Sequence, residues 1–168
     1  MTEGVIIRRA IGGDALGMAA FSASLQAERL DTVRRRAATT EEFERSEIEA
    51  AAKHGRAFIL VAESQNAIVG TLGLWAGNEN HERHAARFGV SVRKEFRRRG
   101  IGRRLIETAI SETKNWPGFC RIELECTLNN AGAIRLYESL GFEREGIRRK
   151  GTDMGRGPQD MLLMSLVW

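Results

Sequence analysis

The run from Val90 to Leu105 joins a strand, a glycine loop and a helix start, with six arginines in the junction's immediate reach: Arg93, Arg97, Arg98, Arg99, Arg103 and Arg104. Val90 and Val92 alternate with Gly89, Ser91 and Arg93, the two-residue period of a strand. From Leu105 the apolar residues Leu105, Ile106, Ala109 and Ile110 recur at helical spacing. Between them lies Arg97-Arg98-Arg99-Gly100-Ile101-Gly102. Glycine lets a backbone turn tightly and come close to a ligand. The first amides of a helix have no internal acceptors and sit at the positive end of its dipole. Such a junction is an anion site suited to phosphate, and arginines add charge and directed donors.

The remaining totals narrow the class. At 168 residues the chain reads as one domain, 1–168, long enough to bury a proper core. A hydrophobic content of 42% and a charged content of 29% are ordinary for a globular protein. No apolar run approaches the ~20 residues that span a bilayer, so no membrane partner is expected. Met1-Thr2-Glu3-Gly4 lacks the basic and apolar regions of a secretory signal. Cys120 and Cys126 are too few for a disulfide framework. A reducing cytoplasm is the simplest location. The net charge of +4 is concentrated at Arg34–Arg36 and Arg93–Arg104. A nucleic-acid surface would interleave aromatics with these arginines, but Phe96 is the only one in the second cluster, so no nucleic-acid partner is expected. Three scattered histidines make no metal site.

Periodicity and breakers set out the order β-α-α-β-β-β-α-β-α-β-β. Gly4–Ala10 reads as a strand, with Asp14 as N-cap of a helix over Ala15–Ala27 whose apolar face is Leu16, Ala19, Ala20 and Ala23. Thr39-Thr40-Glu41-Glu42 reads as a capping box before a helix that runs to about Lys53. Ala57–Glu63 and Ala67–Trp75 form a hairpin about Gln65-Asn66. Ala85–Val92 is the strand that feeds the loop, and Ile101 to about Lys114 is the helix that leaves it, ended by Trp116-Pro117-Gly118. Phe119–Cys126 alternates, with Cys120, Ile122, Leu124 and Cys126 on one face. Asn129 or Asn130 caps the next helix, and Gly141 lies past its end. Arg144–Arg149 and Met161–Trp168 are strands either side of a glycine-rich loop, Lys150–Pro158. The central strand, helix, strand order implies a parallel pair inside a mixed sheet.

Two motifs carry a resemblance. Arg97-x-x-Gly100-x-Gly102 is similar to the R/Q-x-x-G-x-G/A signature of the GCN5-related N-acetyltransferases (GNAT). About thirty residues on, Asn130-x-x-Ala133-x-x-Leu136-Tyr137, followed by Gly141-Phe142, resembles that family's N-x-x-A-x-x-L-Y-x-x-x-G-F segment. The run Gly146-Ile147-Arg148, a loop and Asp160–Met164 echoes the family again, so the likeness covers nearly the whole chain. It implies a GNAT-like α/β fold of the α+β kind. That fold has a mixed, mostly antiparallel central sheet with two splayed parallel strands, here Arg87–Val92 and Phe119–Cys126, flanked by about four helices.

The resemblance also implies acetyl-CoA as cosubstrate, with no metal. Its arm would bond Val90 and Val92 like an added strand, with Ser91 between them. Its pyrophosphate would lie on Arg97, Arg98, Arg99, Gly100, Ile101, Gly102 and Arg103. Asn130 and Ala133 would face it from the next helix. The reaction implied is direct attack of a neutral primary amine on the thioester, through a tetrahedral oxyanion held by the amide of Val92 or a neighbour. Tyr137, the one tyrosine in the chain, falls where the family places the general acid. Where the family often carries a Glu, this chain has Arg87; Glu79, His81, Glu82 and His84 lie just upstream, and His84 among them has a suitable intrinsic pKa to serve as base. Glu123 and Glu125 read as salt-bridged surface groups. The acceptor is set by Leu25–Glu44 and Lys150–Pro158, whose basic rim favours an amine bearing a carboxylate, such as an amino acid or a peptide end. Trp168 and the final strand offer a surface for a homodimer. The alternative reading is a non-catalytic acetyl-CoA-binding sensor of the same fold.

Overall fold

A computed structural model describes residues 4–28, 39–77, 79–153, 155 and 157–168. Its elements follow the order read from the sequence: β1 (Val5–Arg9), α1 (Ala15–Ala27), α2 (Glu41–His54), β2 (Ala57–Ser64), β3 (Ala67–Ala76), β4 (Ala85–Val92), α3 (Ile101–Thr113), β5 (Arg121–Thr127), α4 (Ala131–Glu138), β6 (Glu143–Asp153) and β7 (Pro158–Val167). One seven-stranded sheet runs β1-β2-β3-β4-β5-β7-β6. Every neighbouring pair is antiparallel except β4 and β5.

The two faces of the sheet are covered differently. On one, Leu72, Leu74, Ala86, Ile122 and Leu124 meet Ile101, Leu105, Ile106 and Ala109 of α3 and Ile134 and Tyr137 of α4. On the other, Val61 and Ile68 meet Ala15, Met18 and Phe21 of α1 and Ile48 of α2. The α1 face expected from the sequence is therefore wrong by part of a turn: Leu16 is 65% exposed, and Ala15, Met18 and Phe21 are buried. The helix is apolar on most of its circumference, so its pattern cannot choose the inward stripe; packing against β2 and β3 does.

Two capping expectations also shift. Asp14 makes no side-chain cap for α1. Its carboxylate takes both terminal nitrogens of Arg8 at 2.7 Å and the Ile11 amide at 2.8 Å. Thr40, not Thr39, caps α2 by accepting the Phe43 amide, while the Thr39 hydroxyl donates to Glu44. At the far edge, β6 continues through Lys150 to Asp153, so much of the expected glycine-rich loop is strand. Irregular register between Arg148 and Thr152, with Lys150 at φ +50°, accommodates the extra residues as a bulge. Residues 29–38, half of the expected acceptor segment, and Met154 and Arg156 of the second one, lie outside the described residues.

Candidate active site

The parallel pairing of β4 and β5 is short. It covers Ala85↔Arg121, Ala86↔Ile122 and Arg87↔Glu123, and stops there. Beyond it β4 stays with β3 as far as Gly70↔Val92, and β5 stays with β7 as far as Thr127↔Met161. Phe88–Val92 and Leu124–Thr127 therefore part from one another, and the splay expected from the family likeness is present. The Ala85 carbonyl accepts from Gly77 and the Arg93 amide donates to Val69, which turns the main-chain groups of odd-numbered β4 residues toward β3. The His84 carbonyl, on the opposite parity, accepts from Cys120 at the start of β5. By the alternation of a strand, Val90 and Val92 aim their main-chain groups into the gap, and Ser91 bonds away from it.

On the helical side of the parting, three rings meet edge to face. Phe88 of β4 lies 6.1 Å from Tyr137 and 5.9 Å from Phe142, and these two lie 5.9 Å from each other. Tyr137 is 8% exposed, and among the described residues nothing hydrogen-bonds its hydroxyl. Burial, then the neighbouring Cys126, pushes its pKa up from 10, so the phenol keeps its proton throughout the physiological range. Burial likewise pushes the Cys126 thiol up to about 11, which removes it as a nucleophile at neutral pH.

The open end of the gap leads to the glycine loop. Arg98 at φ +61° and Gly100 at φ +78° reverse the chain before α3. The first amide of that end to find a helical acceptor is Arg104, on the Gly100 carbonyl, so those of Ile101, Gly102 and Arg103 have none within the helix. They border a cavity of about 450 Å³ lined also by Val92, Phe96, Arg97, Arg98, Gly132 and Leu136. A Cβ on Gly102 would point at Leu136 and Val92, 3.7 and 3.9 Å away, so the absent side chain keeps this cavity open.

The arginines of the loop divide by task. Arg97 turns inward: its Nε donates to the Val92 carbonyl at 2.8 Å and its Nη2 to the Glu28 carboxylate, which also accepts the Lys94 amide. Arg99 lies over the Phe96 ring, 5.3 Å from its centroid. Arg103 donates to Ser139 at 2.6 Å. Among the described residues neither Arg98 nor Arg99 has a hydrogen-bond acceptor, and of the two only Arg98 lines the cavity. Asn130 caps α4 through Oδ1 on the Ala133 amide at 3.2 Å, so this pair sets where α4 begins beside the gap.

His84 is not brought to this place. It stands at the closed end of β4, four residues and ~13 Å of strand before Phe88. There it lines a separate cavity of about 360 Å³ with Trp75, Glu82, Arg87 and Glu123. The carboxylate at the parting itself is Glu125, one step along β5's outer face from Glu123 and held by Arg148 at 2.6 Å. Glu123 pairs with Arg87 at 2.5 Å and Arg121 at 3.1 Å, and Arg121 reaches Glu145. Both acidic residues are ion-paired as expected, but Glu125's place at the apex of the splay could not be read without the β4–β5 register.

A sequence model of the acetyltransferase (GNAT) family matches residues 23–142. The chain belongs to this family. Its glycine loop, splay and Tyr137 helix all fall within the matched stretch. Among curated proteins, this GNAT chain is 42% identical over 82 residues to the ribosomal protein bS18-alanine N-acetyltransferase of Salmonella typhimurium, covering 49% of this chain and 55% of that one. It is 35% identical over 91 residues to the L-amino acid N-acetyltransferase AaaT of Escherichia coli, covering 54% and 56%. The chain thus spans about half the length of the curated relatives it matches. The structure of yncA from Salmonella typhimurium, solved with its cofactor acetyl-CoA, superposes with a TM-score of 0.85 at 22% identity over 98% of this chain and 94% of that one.

Proposed function

We propose that this GNAT chain is an N-acetyltransferase that moves an acetyl group from acetyl-CoA to a primary amine by direct attack. The observation that carries the reading is the end of the β4–β5 register at Arg87↔Glu123, which opens a gap running straight to the glycine-loop cavity. The named relatives, which act on a ribosomal protein alanine and on L-amino acids, support an amine acceptor.

The residues fit the cosubstrate from end to end. The amides of Ile101, Gly102 and Arg103, with the unpaired Arg98, suit a pyrophosphate. Val90 offers a donor and an acceptor to the amide arm and Val92 its N–H, the Val92 carbonyl being held by Arg97, and these two N–H groups are the available donors for a thioester oxyanion. The acceptor amine gives up a proton and bonds the carbonyl carbon. Collapse breaks the carbon–sulfur bond, and the leaving thiolate takes the Tyr137 proton from the helical side. Glu125, on the opposite face of the gap, is placed to take the amine proton directly or through water. His84 stands at the closed end of the strand, and we assign it no proton transfer.

Calorimetric titration with coenzyme A, followed by free-thiol release from acetyl-CoA with a panel of amines, tests this. We expect binding and turnover. Binding with no amine giving thiol release would leave the protein a sensor, and no binding would sink both readings.

A further inference from the structure

Gly73 of β3 and Gly89 of β4 stand directly opposite one another in the middle of the sheet. Neither needs to be glycine for its backbone, since neither has a positive φ. Neither needs it for packing. A Cβ on Gly89 would meet nothing within 4 Å, and one on Gly73 would make an ordinary contact, 3.7 Å, with Trp75 Nε1. Gly70, on the other face of β3, is the contrast: a Cβ there would press on Leu105 and the Ser91 carbonyl at 3.3 Å. Glycine in a strand interior forfeits cross-strand contact and stability, and commonly marks where a ligand or another backbone comes close.

The position of the pair says which ligand. By strand alternation it shares a face with Thr71, Trp75, Arg87 and Ser91, away from α3 and α4. It lies one step past Arg87↔Glu123, where β4 and β5 part, on the opposite side of the sheet from Tyr137. Trp75 and Arg87, paired across the strands, bound it on the side of the 360 Å³ cavity. Arg87 is 78% exposed and spends only its Nε on Glu123; among the described residues its two terminal nitrogens have no acceptor. Glu125 lies within electrostatic reach of Arg87. A guanidinium and a carboxylate flanking bare backbone complement a zwitterion.

We propose that the Gly73–Gly89 floor seats the acceptor and that the acceptor is a free α-amino acid. Its ammonium faces Glu125 at the apex, its carboxylate takes the terminal nitrogens of Arg87, and its side chain lies over the two glycines against the Trp75 ring. This deepens the acetyl-transfer reading and rests on it. A peptide N-terminus would present an amide carbonyl where the carboxylate belongs, a weaker acceptor for Arg87.

The test uses the full chain and the variants Gly89→Val, Gly73→Val and Arg87→Met. Thiol release is followed with free L-amino acids, with their carboxamides and with a short peptide, beside coenzyme A affinity and thermal midpoint. Valine suits a strand, so the glycine variants should melt no lower than wild type. They should hold coenzyme A as wild type does and raise the KM for amino acids at least about ten-fold. Arg87→Met should raise the KM for the acid by a similar factor and leave that for the carboxamide unchanged. Glycine variants with wild-type KM, or a wild type that uses carboxamide or peptide as well as the acid, overturn the proposal. A wild type that binds no coenzyme A fails the acetyl-transfer reading first, and this inference with it.

Discussion

Tyr137 is held by rings, with its hydroxyl left for a ligand. The Tyr137→Phe variant keeps the packing with Phe88 and Phe142 and removes only the hydroxyl. Its kcat should fall by about 10²-fold, the lower range for a general acid, with coenzyme A affinity unchanged in calorimetry. Because burial raises the phenol's pKa, the kcat–pH profile should show no descending limb below pH 10. Loss of rate between pH 8 and 10 in wild type, abolished in the Phe variant, would contradict this. At the other end of the chain, Asp14 is 9% exposed and gripped by Arg8. Asp14→Ala should cost about 2 kcal/mol in denaturant unfolding, since hydrogen bonds to a charged partner are lost and Arg8 loses one of its two carboxylates. Tyr137 was legible from its motif. The inward turn of Arg97 was not, because its partner Glu28 is 69 residues away in sequence.

At the scale of elements, local signals were reliable where the chemistry is local. The cap of α4 falls to Asn130 of the two asparagines offered, while Gly141 past the end of that helix and the alternation of β5 appear as read. Thr40→Ala should lower the thermal midpoint by about 3 °C through loss of roughly 1 kcal/mol of capping, since its hydroxyl satisfies the Phe43 amide. Gly100→Val forces a branched side chain to φ +78° and should weaken coenzyme A binding by at least about ten-fold, with strain redirecting the loop amides. The inward stripe of α1 and the length of β6 were misread for one reason. Each depends on a neighbour: α1 on the β2–β3 surface, β6 on its ladder with β7.

For the whole molecule, the outer face of β4, β5, β7 and β6 carries a chain of ion pairs with consequences for acid stability. Arg121's hydrogen bonds, helped by the Ser165 hydroxyl, hold Glu145 near 2, down from 4.5. Arg8 lowers Asp14, and for Glu123 the pairing with Arg87 and Arg121 outweighs the upward push of burial. Groups depressed in the folded state stabilise it above their unfolded pKa, and that contribution disappears as pH falls through the folded one. The thermal midpoint should hold steady from pH 7 to about 5 and fall between pH 4.5 and 2; Arg121→Ala should flatten that fall. Solvent screening keeps the effect small, because Glu145 is 39% exposed.

By itself the sequence determined the order of elements, the glycine loop and the place of Tyr137, because periodicity, breakers and caps act over a few residues. Tertiary structure decided which groups share the gap. It put Glu125 at the apex and His84 at the closed end, and it set Gly73 against Gly89. Such neighbours are fixed by strand register, and register is settled only when whole faces of the sheet find their helices.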